Sequence, residues 1–342
     1  DAKSGEYYLH LFSRKQPDLN WENPEVRTAI YDMMRWWVDR GVDGFRMDVI
    51  NLASKNPALP DGDMFADVPN GPRMHEFLHE MHGAVLKGRD LFTVGETPGV
   101  TPDDARLYSD PSREELTMVF QFEHMGLDST SGEEAGGTKW SLAPLRLSAL
   151  KANLARWQLG LLSQGWNSLY WNNHDQPRIV SRWGNDGEHR VASAKAFGTI
   201  LHLMRGTPYI YQGEEIGMTN GGFSSLHEFQ DIEAINYSKE AAALGLSEES
   251  VVRSLSAKGR DNARTPMQWD SSRHAGFTAG TPWLRVTANY PQINVQAAMA
   301  DPESVFHHYR RLIALRKKHS VIVDGDFSLL LPENEQVFAY TR

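Results

Sequence analysis

The segment GVDGFRMDVI, Gly41 to Ile50, constrains this chain more than any other. It sets five apolar residues in a short run behind a glycine, with helical periodicity before it. Such a run reads as a buried strand of an α/β protein, here over 42–48. Arg46 and Asp48 interrupt it two residues apart, so on a strand they share one face. A buried Arg and Asp are costly unless each is paired or used. Two readings follow: an ion pair that fixes the strand, or a nucleophile beside the cation that keeps it ionised.

The 342 residues suffice for one large barrel or two ordinary domains. A net charge of −9 without a long basic run argues against nucleic acid or an anionic membrane as partner. No apolar run reaches the roughly 20 residues that span a bilayer. Cysteine is absent, which suits a reducing compartment, so a cytoplasmic location is expected.

Along the chain, Asn23-Pro24 opens a helix with Val26, Ile30, Met33, Trp37 and Val38 at helical spacing, closed by Gly41. A polar loop with Pro57, Pro60, Pro69 and Pro72 leads to a helix near 73–88. LFTVGE (91–96) reads as the second strand and the segment within 117–124 as the third. A Gly-rich mobile loop is expected at 126–139, then a helix with Leu147, Leu150, Leu154, Trp157 and Leu161 on one face. NSLYWNNHD (167–175) is the fourth strand and TPYIYQGEE the fifth, with a helix near 188–205 between them. Residues 220–300 read as irregular with one helical piece, and a last helix carries Val305, Tyr309, Leu312 and Ile313 inward. Short strands are expected after His319. Five alternations of helix and short apolar strand predict a parallel sheet covered by helices. With no GxGxxG or GxxxxGK loop, a (β/α)8 barrel is favoured over a nucleotide-binding sheet. Five of the eight strands a barrel needs are countable.

Asp48, Glu96 and His174-Asp175 close three of these strands at the C-terminal end, where barrels build their sites. Singly, each acid is better read as a cap or loop residue. Three in register, with Arg46 and His174, favour a site. Two carboxylates are what glycoside cleavage requires, one to attack or stabilise the anomeric centre and one to protonate the leaving oxygen. HEFLH (75–79), with His82 nearby, matches the helical zinc-protease pattern H-E-x-x-H. A polar stripe on an outer helix is the plainer reading, and a protease would leave the strand-end acids unexplained.

GFRMDVI, VGETP, YWNNHDQPR, GTPYIYQGEEIGM and GRDNARTPMQWD together resemble the α-amylase superfamily of glycoside hydrolases, and QPDLNW resembles its oligo-1,6-glucosidase branch. The resemblance implies a (β/α)8 TIM-barrel glycosidase, incomplete here with strands 4–8. Residues 1–22 would be the tail of an inserted loop domain, 23–319 the partial barrel and 320–342 the start of a C-terminal β-domain. It makes Asp48 the nucleophile, Glu96 the general acid/base and Asp175 the transition-state stabiliser. Arg46, His174 and Arg260 would contact substrate or nucleophile, and Val49 would favour α-1,6 over α-1,4 linkages. The expected activity is that of a monomeric, exo-acting, retaining α-1,6-glucosidase acting on an oligosaccharide. An α-1,4-glucosidase, a trehalose-6-phosphate hydrolase and a sucrose isomerase share the machinery; a non-catalytic relative is the distant alternative. No cofactor or metal is expected within this chain, the family's calcium site falling in a preceding part.

Overall fold

The computed structural model describes residues 3–58, 68–129 and 138–342. Pro60 of the expected polar loop and positions 130–137 of the expected mobile loop lie outside the described residues. The chain divides into two compact units, Asp1–Glu123 with Arg156–Ser168, and His124–Ala155 with Leu169–Arg342.

In the first unit, Asn23 caps α1 (Pro24–Val38) by accepting from the Glu25 amide at 2.9 Å. The buried face of α1 is Arg27, Tyr31 and Met34, while Met33 and Trp37 stay about half exposed. The expected apolar stripe is thus rotated, because Arg27 is the residue that finds partners inside. It reaches Glu80 at 2.8 Å and the Trp21 carbonyl at 2.6 Å, and stacks over Phe77. Strands β1 (Gly44–Met47), β2 (Phe92–Glu96) and β3 (Met118–Phe120) form a parallel sheet in the order 1-2-3. An isolated parallel bridge continues it from Val119 to Asn167. Helices α2 (Met74–Met81) and α3 (Pro102–Ser109) connect the strands. The helix expected over 73–88 changes at His82 into a π turn, His82–Leu86.

The β1–β2 pairing explains Gly44. A Cβ there would stand 2.0 Å from the Phe92 carbonyl oxygen, so no larger residue fits this register. The core beneath holds Met74, Leu78, Tyr108, Val119, Trp157 and Leu161, each at most 1% exposed. Burying each large apolar side chain contributes roughly 1.5–3 kcal/mol.

One expectation changes at the site. Asp48 is not on the strand, which ends at Met47. Val49 takes a left-handed backbone, φ 34°, rare for a β-branched residue, and this turns the chain out of the sheet. Arg46 and Asp48 are therefore not buried: their side chains are 37% and 76% exposed.

The second unit contains most of α4 (Leu147–Gly160), whose Leu150 and Leu154 join Leu169, Trp171, Ile179, Leu201 and Tyr309 in one core. β4 is only Ser168–Leu169, and β5, Thr207–Pro208, pairs with it. The strand expected over 167–175 is so short because Trp171 and Asn172 turn inward to pair with the Phe197 carbonyl and Glu214. Helices α5 (Ile179–Trp183) and α6 (Arg190–His202) follow β4. The segment 220–300 is more ordered than expected, with α7 (Ile232–Ala243), α8 (Glu248–Lys258), α9 (Asp261–Arg264) and α10 (Val295–Ala300). Asp231 and Ser247 cap α7 and α8. In α11 (Val305–Lys318), Val305, Tyr309 and Leu312 are buried, but Ile313 is 37% exposed because it lies one position off that face. β6 (Ser328–Leu330) and β7 (Ala339–Thr341) close the chain as an antiparallel pair. Among the described residues no helix is long and apolar enough to cross a membrane.

Candidate active site

In the first unit the guanidinium of Arg46, projecting from β1, bridges two carboxylates. It donates through Nη1 to Asp48 and through Nη2 to Glu96 Oε2, the latter at 2.7 Å. The same Glu96 oxygen accepts the Val49 backbone N–H at 3.3 Å. The left-handed turn at Val49 therefore does local work, aiming an amide at the carboxyl that ends β2. Asp48 faces solvent, whereas the Glu96 side chain is 10% exposed. Burial and a hydrogen bond with Asp48 push the Glu96 carboxyl up to about 7, against the opposing pull of Arg46 and the Val49 amide. Gly95 keeps the strand end tight. A Cβ there would lie 2.7 Å from Leu116 and 2.9 Å from Ile50. Two adjacent acids thus differ in environment, Asp48 open to solvent and Glu96 buried with its carboxyl raised.

The second unit assembles another cluster around Asp175, in the turns after β4. Arg264 Nη2 donates to Asp175 Oδ1 at 2.8 Å, its Nη1 to Asp231 at 2.5 Å, and its Nε to the His174 carbonyl at 2.9 Å. His174 Nε2 lies 3.4 Å from Asp175 Oδ2. Arg260 Nε is 3.6 Å from Asp175 and 2.9 Å from Glu233, a charge contact without hydrogen-bond alignment. Glu233 also accepts Lys139. The segment GRDNAR works as a knot. Asp261 accepts the amides of Gln230 and Asp231, and Asn262 donates to the Leu255, Ser256 and Gly259 carbonyls.

The structure thus brings Arg46, Asp48, Val49 and Glu96 together in one unit and His174, Asp175 and Arg260 together in the other. Sequence reasoning missed Arg264, the closer cation to Asp175, although it is the second Arg of the same GRDNAR motif. Asp231 and Glu233 carried no local signal. The imidazoles of HEFLH are engaged separately, His75 with Glu115 at 2.7 Å and His79 with the Arg113 carbonyl at 3.0 Å. Among the described residues no group of three or more His, Asp or Glu is placed to hold a metal ion.

The alpha-amylase catalytic-domain family model matches residues 1–325. An oligo-1,6-glucosidase of Halalkalibacterium halodurans is 57% identical over 351 residues, covering 100% of this chain and 62% of that protein. A solved trehalose-6-phosphate hydrolase of Bacillus licheniformis superposes with a TM-score of 0.94 at 46% identity, over 99% of this chain and 61% of that one. A solved isomaltulose synthase from a Klebsiella species does so with 0.94 at 39% identity, over 100% and 62%. The chain therefore spans somewhat under two thirds of the length of these relatives, and its parts follow the (β/α)8 glycosidase fold.

Proposed function

Because the chain belongs to the alpha-amylase catalytic-domain family, we propose that it carries the catalytic carboxylates of a retaining, exo-acting α-glucosidase that hydrolyses α-1,6 bonds of short isomalto-oligosaccharides. The observation that carries this reading is the Arg46–Asp48–Glu96 arrangement, with one exposed acid and one held up to about 7. Asp48 attacks the anomeric carbon while Glu96 gives its proton to the leaving oxygen. Glu96, now ionised, takes a proton from the water that releases the glucosyl group from Asp48, and the site is restored. In the resting site the two carboxyls interact with each other and share Arg46, and a bound sugar would take the place of their mutual contact. Asp175, oriented by Arg264, would bond the ring hydroxyls more strongly as the sugar flattens. As the family resemblance implies, His174 and Arg260 would contact substrate.

The 57% identity to an oligo-1,6-glucosidase, against 46% to the trehalose-6-phosphate hydrolase, supports the α-1,6 reading over its neighbour. By the same resemblance, β1 to β5 would be the fourth to eighth strands of the barrel, and a calcium site would lie outside this chain. Residues 1–22 would then close an inserted loop domain, and β6 and β7 would begin a C-terminal β-domain. A monomer in the cytoplasm, with an oligosaccharide as sole partner, completes the reading. The test is kcat/KM of the full-length protein on isomaltose, maltose, trehalose 6-phosphate and sucrose. Isomaltose is expected to lead, and a higher value on any of the other three reassigns the substrate.

A further inference from the structure

Away from the residues assigned above, the second unit buries one carboxylate between two cations. Asp128 Oδ2 accepts Arg182 Nε at 2.7 Å and the Trp183 indole N–H at 2.9 Å, and Oδ1 accepts Arg182 Nη2 at 2.8 Å and Lys258 Nζ at 3.0 Å. Lys258 completes its shell with the Asp128 carbonyl at 2.8 Å and Ser129 Oγ at 3.1 Å. All three ionised side chains are at most 6% exposed. A fastener for the fold needs one cation. Two in the interior are expensive, and where they lead gives a reason for keeping both.

Arg182 spends its remaining donors on Gln176 Oε1 at 2.8 Å and on the Met125 carbonyl at 2.6 Å. Gln176 directly follows Asp175, and its amide donates to the Asn173 carbonyl, closing the turn that presents Asp175. Lys258 is the last residue of α8, two positions before Arg260. One carboxylate therefore holds the segment that carries Asp175 and the segment that carries Arg260.

We propose that Asp128 is a positioning residue for the glycosidase reaction, setting the Asp175 turn through Arg182 and Gln176 and the Arg260 turn through Lys258. It touches no reacting atom. Its carboxyl, held down to about 2 mainly by Arg182 against the cost of burial, stays ionised at working pH and exchanges no proton. The proposal rests on the role given above to Asp175.

The test uses the full-length protein with Asp128→Asn and, should that variant not fold, Gln176→Leu, which cuts the link to the turn and leaves the ion cluster whole. Isomaltose kinetics, the melting temperature and the Kd of a glucose-shaped iminosugar are measured for each. A turnover loss of about 10- to 100-fold is expected in folded protein, with KM changed far less. The loss from Asp128→Asn should shrink when Gln176→Leu is already present. Unchanged kcat per folded molecule in both variants, or losses that simply multiply in the double variant, overturns the proposal. Wild-type protein inactive on isomaltose would instead count against the substrate reading. Iminosugar affinity then decides the positioning role: weaker binding in Asp128→Asn supports it, and equal binding overturns it.

Discussion

Asp48 and Glu96 differ by exposure rather than by chemistry, and that difference can be measured. Replacing Asp48 by Asn keeps the shape but removes the charge proposed to attack, so kcat of the full-length protein on isomaltose should fall by roughly 10^3- to 10^5-fold with the fold retained. Near-normal turnover would remove Asp48 from the nucleophile's role. As the proposed general acid, Glu96 would have to be protonated for the first step, and its carboxyl is raised to about 7. The acid form is present below that pH and lost above it, so kcat/KM should decline as pH rises through about 7. A flat profile from pH 6 to 9 would argue for another acid. Val49 pays for its left-handed turn with strain of order 1–3 kcal/mol, and its amide meets Glu96. Its stiff branched side chain would crowd an α-1,4-linked leaving sugar more than an α-1,6 one, whose extra CH2 bends around it. Val49→Ala should raise maltose relative to isomaltose, a tenfold change corresponding to about 1.4 kcal/mol. An unchanged ratio places linkage choice elsewhere.

Between elements, the decisive contacts are buried polar ones. Glu214, in the turn after β5, accepts the Tyr309 hydroxyl of α11 at 2.8 Å and the Asn172 side chain beyond β4. Burial pushes its carboxyl up to about 7, above the ordinary value of 4.5, and the two donors only partly offset this. The folded state thus holds this proton to higher pH than the unfolded chain does. The resulting stability is fully present below about 4.5 and is lost as pH rises through about 7. Melting temperature should therefore fall more steeply from pH 5 to 8 in the wild type than in Glu214→Gln. Parallel curves would mean that Glu214 stays ionised throughout. Elsewhere Lys151 donates to the carbonyls of Leu331 and Asn334 at 2.6 and 2.5 Å, tying the β6–β7 connection to α4. Helix periodicity made α1 and α4 legible in the sequence. The face of α1 was not, since a buried Arg27 violates the apolar pattern and its charge finds a counter-ion in Glu80, 53 residues away.

For the molecule as a whole, the chain covers 62% of the length of its glucosidase relative, and the sugar pocket of such an enzyme draws on many strand ends. The 342-residue polypeptide by itself is expected to show no measurable turnover of isomaltose, and the full-length protein to show it. Clear activity of the verified short chain would mean that its own two clusters are sufficient.

The positions of Asp48 and Glu96 were legible from sequence because each closes a short apolar run, whereas Asp175 lies in the turns beyond the short β4 and was marked only by its motif. Their order along an α/β pattern carried the fold class because strand and helix periods are local properties of the chain. What surrounds each acid was decided only by tertiary structure. Arg264 reaches Asp175 across 89 residues and Lys258 reaches Asp128 across 130. Nothing in a linear pattern encodes which distant donor will face a given carboxylate, or how much water is left beside it. Exposure depends on packing from every side, which is why Glu96 is raised to about 7 while Asp48, two residues from the same arginine, faces solvent.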